Sequence, residues 1–389
     1  MNLKTELILE LINNILPYWI HKTIDEKNGG FYGRIDGNEI IHKNANKGII
    51  LNARILWTFS AAYKLVKYPE YLVLAKRAYY YLIEKFIDKE HGGVFWELDY
   101  TGNPVNTKKQ TCAQGYALYG LSEFYKATGK EEALELALNI FQLIEKNCRD
   151  ISNGGYFESF TNNWKPVNDM RLSQKEPNVN KSLNANLHVL EAYTNLLQVC
   201  NTSDVLEAQN SLIHVFTDKI LNKQTNHLNL FFDEKWKPKS NAISYGHDIE
   251  TSWLLIDAAK FLCDDLLSDK IKEISLKIAE AAFEGLQPDG SLIYQKNGNR
   301  IDTERHWWVQ SETVVGAMTA WHITGNNRYL EIATKCWNYI KQFLIDRIYG
   351  EWIWSANHEG VPNRNNDKVG FWKCPYHNGR MCLKMLEMG

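Results

Sequence analysis

The sequence predicts an all-α fold: an (α/α)6 barrel of twelve helices in two concentric rings, with short β-hairpin-like loops at one end. Three observations predict it. A Gly-rich, strand-like motif recurs about every 60 residues, a period that signals a repeat architecture. Each interval between copies has room for two helical patterns. There are six copies.

The motif is clearest at Asp25 to Tyr32 (DEKNGGFY), Asp88 to Phe95 (DKEHGGVF) and Asp150 to Phe157 (DISNGGYF). Weaker forms follow at Asn226 to Trp236 (NHLNLFFDEKW), Pro288 to Tyr294 (PDGSLIY) and Asp346 to Trp354 (DRIYGEWIW). Apolar residues three and four apart place helices over 3–20, 51–67, 69–86, 110–127, 130–147, 183–200, 203–221, 246–266, 269–286, 307–325, 327–344 and 375–387. Leu118, Leu121 and Tyr125 show that spacing, as do Leu134, Ala137, Phe141 and Ile144. Pro69 and Pro375 suit a first helical turn, where a missing N–H costs nothing. Six hairpins close most simply into two rings. An open solenoid is the alternative, but neither terminus reads as a polar cap. No Pro- or Ser-rich linker, low-complexity tract or charge block divides residues 1–389, so one domain is expected. The longest irregular stretches are 160–182 and 355–374, and long loops in compact domains often carry function.

Composition excludes several classes of function. Lys plus Arg is 44 against 46 Asp plus Glu, so no cationic excess exists to hold a nucleic-acid backbone. The seven cysteines form no CxxC pair, which fits free thiols in a reducing compartment. Lys4, Glu6 and Glu10 interrupt any apolar leader, and no stretch approaches the roughly 20 apolar residues of a membrane span. The expectation is a cytoplasmic protein with no membrane partner. Packing between helices accounts for most of the 13 Trp, 20 Tyr and 15 Phe, but thirteen tryptophans are many, and a sugar ring is a natural partner for a surplus indole face.

Three of the eleven histidines have company. His247 starts a predicted helix, with Glu250 one turn on, where a carboxylate orients the imidazole, binds a sugar hydroxyl or simply suits the helix dipole. His377 also falls at a helix start, where the dipole disfavours the imidazolium and leaves a neutral base. Asn184 and His188 share a helix face, either satisfying each other or aimed at a sugar oxygen. His21, His42, His91, His214, His227, His306, His322 and His358 show no partner pattern. No GxGxxG, P-loop, HExxH or Ser nucleophile elbow occurs, and no tight His/Cys/Asp cluster argues for a metal. Two carboxylates for glycoside hydrolysis could come from Asp99, Asp248, Glu304 or Glu312.

Longer motifs are more specific. Asn52 to Ser60 (NARILWTFS), Lys181 to Leu196 (KSLNANLHVLEAYTNL), Tyr245 to Leu255 (YGHDIETSWLL), Trp307-Trp308, Glu351-Trp352 and Pro375 to Leu383 (PYHNGRMCL) together resemble the N-acylglucosamine 2-epimerase family. They are most like its cellobiose 2-epimerase branch, almost end to end. The resemblance implies a cofactor-independent epimerase that inverts C2 of the reducing-end glucose of cellobiose and related β-1,4-linked disaccharides. His247 and His377 would be the acid/base pair. Arg54, Asn184, His188 and Glu250 would surround the sugar, and Trp372 with Trp308 (rather than Trp307) would wall it. No metal or redox cofactor is implied. The partner would be a small sugar, bound by a monomer or weak homodimer. Rivals are a monosaccharide 2-epimerase or isomerase of the same family, an (α/α)6 glycoside hydrolase and a non-catalytic sugar-binding barrel. Two departures bear on substrate: Cys112 stands where family members often have tyrosine, and Glu176 where aspartate is usual.

Overall fold

A computed structural model describes residues 3–173, 176–262 and 264–388. Twelve helices run through them. Helix α1 comprises Leu3–Glu10, a π turn Leu11–Ile15 and Leu16–Lys22. It is followed by α2 (Ile49–Val66), α3 (Pro69–Tyr81, extended by a π turn Leu82–Phe86), α4 (Thr111–Thr128), α5 (Glu131–Asn147) and α6 (Leu183–Leu197). The second half holds α7 (Ser203–Val215, extended by a π turn Phe216–Ile220), α8 (Tyr245–Ala259) and α9 (Asp265–Ala282, ending in a 3-10 turn Phe283–Gly285). It closes with α10 (Trp307–Thr324), α11 (Asn327–Phe343) and α12 (Tyr376–Glu387).

The even-numbered helices touch in cyclic order: α2 on α4, α4 on α6, α6 on α8, α8 on α10, α10 on α12, and α12 back on α2. Each odd-numbered helix lies against an even one, and α1 against α12. The architecture is helix-rich and consistent with an α/α barrel. Sequence explains the division. Even-numbered helices are buried nearly all round, as in α2 from Ile49 to Ala62, whereas odd-numbered ones such as α5 bury one stripe (Ala133, Ala137, Ile140, Phe141, Ile144). Helix α2 is long and apolar enough to cross a membrane by length and composition, which departs from the sequence expectation. It is 78% buried within the protein itself.

The expected helices are all present, with shifted ends. Helix α8 stops at Ala259 and α9 starts at Asp265, because the Asp264 side chain accepts from the Leu267 N–H and caps a new helix. Pro375 is the cap of α12 rather than its first residue, while Pro69 does open α3. The six described cysteines are free thiols; Cys263 lies outside the described residues.

The loops at the site end pair mainly between repeats. The two residues before an inner helix form a strand against the next repeat's loop: Lys47–Gly48 with Glu97–Leu98, Lys109–Gln110 with Ser159–Phe160, and Lys181–Ser182 with Phe231–Phe232. Ile243–Ser244 joins Gln295–Asn297, and Arg305–His306 joins Ser355–Ala356. A bridge from Ile35 to Val369 links the first loop to the last.

A buried ion pair holds each of the first three loops. Asp25, Asp88 and Asp150 each accept two backbone N–H groups of their own turn on Oδ1, and take Lys47, Lys109 and Lys181 on Oδ2 at 2.8, 2.8 and 2.7 Å. The fourth repeat keeps the turn without the charges, with Asn222 in the aspartate position and Ile243 in the lysine position. Gly155 (φ 69°) admits no side chain, since a Cβ would sit 2.4 Å from the Trp236 ring.

Candidate active site

Because the inner helices begin at this end, their first turns surround a cavity of about 550 Å³. Arg54 (α2), Asn184 and His188 (α6), His247 and Glu250 (α8), Trp308 (α10), and Trp372 and His377 at the start of α12 all line it. The eight residues singled out in the sequence therefore share one site. Trp307 lines it too, but is 2% exposed and packs on Trp354 at 4.6 Å between ring centroids. Trp308 packs against both His247 (5.1 Å) and His377 (5.6 Å).

The two histidines have different partners. His377 Nδ1 lies 2.7 Å from Glu312 Oε1. A carboxylate only accepts, so Nδ1 carries the proton and Nε2 is left as the basic nitrogen. Burial first, then the Arg54 and Arg380 charges, hold the His377 pKa well below the usual imidazole value, against the pull of Glu250. The sequence argument assigned this depression to the helix dipole; burial is its leading cause. His247 Nδ1 lies 2.7 Å from the Ser244 hydroxyl. Burial lowers its pKa to about 4, opposed by Glu250 and aided by His188. Both imidazoles are neutral near pH 7, the state a general base needs.

Arg380 joins four of the even-numbered helices. Its Nη2 donates to Glu250 and Glu312, each at 2.7 Å, and its Nη1 to Glu191 and to the Tyr376 hydroxyl. The Trp253 indole donates to the other Glu312 oxygen at 2.9 Å. Glu250, Glu312 and His377 lie close enough to resemble a metal site. The Arg380 guanidinium lies against both of these carboxylates, at 2.7 Å from each.

His188 sits in a second chain of contacts. Its ring faces Glu191 (3.2 Å) and Asn184 (3.1 Å), and the Tyr116 hydroxyl approaches it at 2.8 Å. Tyr116 in turn accepts from Arg54 Nη2 and lies under that guanidinium, 4.3 Å from its carbon. Arg54 also donates to the Trp372 carbonyl at 3.2 Å. Asn184 and His188 bond each other, as the first of the two readings expects, and both line the cavity.

Sequence reasoning missed several residues. Tyr116, Glu191 and Arg380 were not singled out, and Glu312 was read only as a possible hydrolase carboxylate. Two were signalled. Arg380 lies three residues after His377 in an apolar helix, and Tyr116 lies one turn after Cys112. His306, read as partnerless, lines the cavity beside Tyr294 and lies 3.5 Å from Asp302. His227 is also partnered, 2.7 Å from Asp248, in the wall rather than the cavity. Of the two departures, Cys112 is buried outside the cavity lining, while Glu176 lines it with its carboxyl pushed up by burial. None of Asp99, Asp248, Glu304 and Glu312 lines the cavity. Asp99 accepts from its own turn, and Glu304 is held by Ser355 and Asn363.

The sequence profile of the N-acylglucosamine 2-epimerase (GlcNAc 2-epimerase) family matches residues 30–378. The chain belongs to this family. A cellobiose 2-epimerase of Bacteroides fragilis is 51% identical over 386 residues, covering 99% of this chain and 98% of that protein. One from Dictyoglomus turgidum is 40% identical over the same length, again with 99% and 98% covered. The structure of cellobiose 2-epimerase from Bacillus thermoamylovorans superposes with a TM-score of 0.96 at 38% identity, covering 99% of each chain. As a member of the N-acylglucosamine 2-epimerase family, the protein is a carbohydrate epimerase, an isomerase acting on a small sugar.

Proposed function

We propose that this epimerase inverts C2 of the reducing-end glucose of cellobiose and related β-1,4-linked disaccharides, by proton transfer between two histidines in an (α/α)6 barrel. The observation that carries the reading is the placing of His247 and His377 in one cavity against one indole, both neutral near pH 7. The names of the relatives at 51% and 40% identity support the disaccharide. The cyclic contacts of the even-numbered helices support the closed barrel.

The chemistry follows from acidity. In the closed sugar the C2 hydrogen is not acidic. Ring opening exposes an aldehyde at C1, and removal of the C2 proton then spreads charge onto O1 as an enediolate. Arg54, fixed by Tyr116, is a preorganised donor for that oxygen, and so is His188 when both its nitrogens carry hydrogen, with Nδ1–H turned to Glu191. One histidine takes the C2 proton. The other returns a proton to the opposite face, so configuration inverts with no change of oxidation state. Each transfer contributes roughly 10²–10⁴-fold. A proton leaves and a proton arrives, so the step itself calls for no redox group. Trp372 walls the site, and the outer sugar stacks on an indole beyond the reacting ring.

The test is an NMR spectrum of cellobiose turned over in D2O. Deuterium at C2 of the epimer is expected, and protium alone there rules out the route. His247→Asn and His377→Asn should each lose at least about 10²-fold in kcat with an unchanged fold. Near-wild-type turnover in either removes that residue from the mechanism. Faster turnover of mannose than of cellobiose would favour the monosaccharide reading, and free glucose would mark a hydrolase.

A further inference from the structure

The residue before each inner helix caps it. Gly48, Gln110, Ser182, Ser244 and His306 hold that place before α2, α4, α6, α8 and α10. Among these five, Ser182 and Ser244 cap through a side chain that accepts the N–H three residues on. The two differ in a telling way. Ser182 Oγ takes the Ala185 N–H at 3.0 Å and nothing of Ala185's side chain competes. Ser244 Oγ lies 3.3 Å from the His247 N–H but only 2.7 Å from His247 Nδ1. The hydroxyl serves the helix end and the ring at once, with the shorter contact to the ring.

The partner chemistry then divides the histidines. Glu312 only accepts, so neutral His377 has one tautomer, with hydrogen on Nδ1. A serine hydroxyl both donates and accepts. Donating to a bare Nδ1, it leaves hydrogen on Nε2 of His247. Accepting from Nδ1–H, it leaves Nε2 bare.

We infer that Ser244 is a positioning residue that holds the His247 ring in place while permitting either tautomer. This imidazole can therefore offer the sugar an N–H or a lone pair without acquiring charge. Passage between the two moves one proton from Nε2 to Nδ1, carried by water or a sugar hydroxyl, as Oγ turns from donor to acceptor. The groups facing His247 are Glu250 from its own helix, His188 from α6, and the Tyr294 and Trp308 rings. None of these is a hydrogen-bond partner of Nδ1, so among the described residues Ser244 fills that role. The inference rests on the reading of His247 as an acid/base group.

The experiment combines 15N NMR of labelled histidine with pH–rate profiles on cellobiose. Ser244→Gly keeps helix capping nearly intact while deleting the hydroxyl. It should melt like the wild type yet lose about 10- to 100-fold in kcat, as a misplaced catalytic group does. Ser244→Thr keeps the hydroxyl and should recover most of that loss. Ser244→Asp should show Nδ1–H alone in neutral His247, where the wild type shows exchange between both nitrogens. Its acid limb in kcat/KM should also move upward. Wild-type kcat in Ser244→Gly, or one Nδ1–H tautomer in the wild-type spectrum, overturns the inference. So does a Thr variant as slow as the Gly variant. If His247→Asn is inactive while the Ser244 variants behave as wild type, only this inference falls. If His247→Asn turns over normally, the proposed function falls first.

Discussion

Glu312 shows how one carboxylate can fix the tautomer of an imidazole 65 positions along the chain. It takes Nδ1–H from His377, and it is itself held by Arg380 and Trp253. Glu312→Gln keeps the shape but offers an amide that donates as readily as it accepts, so the tautomer of His377 is no longer fixed. We expect kcat to fall about 10²-fold or more with little change in KM, by analogy with the loss of the orienting carboxylate in hydrolytic triads. Steady-state kinetics at neutral pH check this, and an unchanged kcat would remove Glu312 from that role. The buried imidazoles also carry a sign for stability. His247 titrates near 6.5 when unfolded and near 4 when folded, so between those values the unfolded chain binds more protons. Its contribution is complete above about pH 6.5 and is lost as pH falls toward about 4. Thermal unfolding measured across that range should fall less steeply in His247→Asn than in the wild type, and parallel curves would contradict the assignment. That the eight residues named from the sequence line one cavity was legible from the histidine patterns and the family resemblance. Glu191 was not, since a charged residue inside a helical pattern reads as a solvated face, whereas here it lies at 3% exposure.

The loops make the same argument one level up. Lys109 and Asp88 are almost wholly enclosed, and removing either leaves the other charged and unpaired. Lys109→Ile alone should cost about 3–5 kcal/mol. The fourth repeat, with Asn222 and Ile243, shows that the same turn closes without charge. Asp88→Asn combined with Lys109→Ile should therefore be clearly less destabilised than Lys109→Ile alone. Chemical denaturation of the two singles and the double gives the coupling directly, and simple additivity would mean the pair is not coupled. The repeat period revealed where such loops lie because Gly-Gly turns and aspartates are local. It did not reveal which strands pair. Those contacts join neighbouring repeats, and a single loop's sequence carries no record of its neighbour. Helix ends moved for the same kind of reason: Asp264 caps α9 by geometry that apolar spacing cannot register.

At the scale of the whole molecule, the ends of the chain meet at Glu351. Its carboxylate accepts from Trp19 of α1 at 2.6 Å, from Lys373 at 2.7 Å and from Asn378 of α12 at 2.6 Å. Both Glu351 and Lys373 are fully enclosed. Glu351→Gln should cost about 3 kcal/mol or more, because it strands the ammonium and loosens the seam between first and last helices. Urea unfolding measures it, and a loss under about 1 kcal/mol would show that the seam is held by apolar packing instead. The count of six helix pairs was readable from periodicity, but this closing contact was not, since its members lie more than 300 positions apart. Arg380 has a broader consequence. One guanidinium grips carboxylates from α6, α8 and α10 while belonging to α12, and one of those carboxylates also holds His377. One pin thus fastens four helices, and none of them can shift alone without breaking a charged contact. Heat should extinguish turnover and structure at one temperature, with no inactive yet folded form in between.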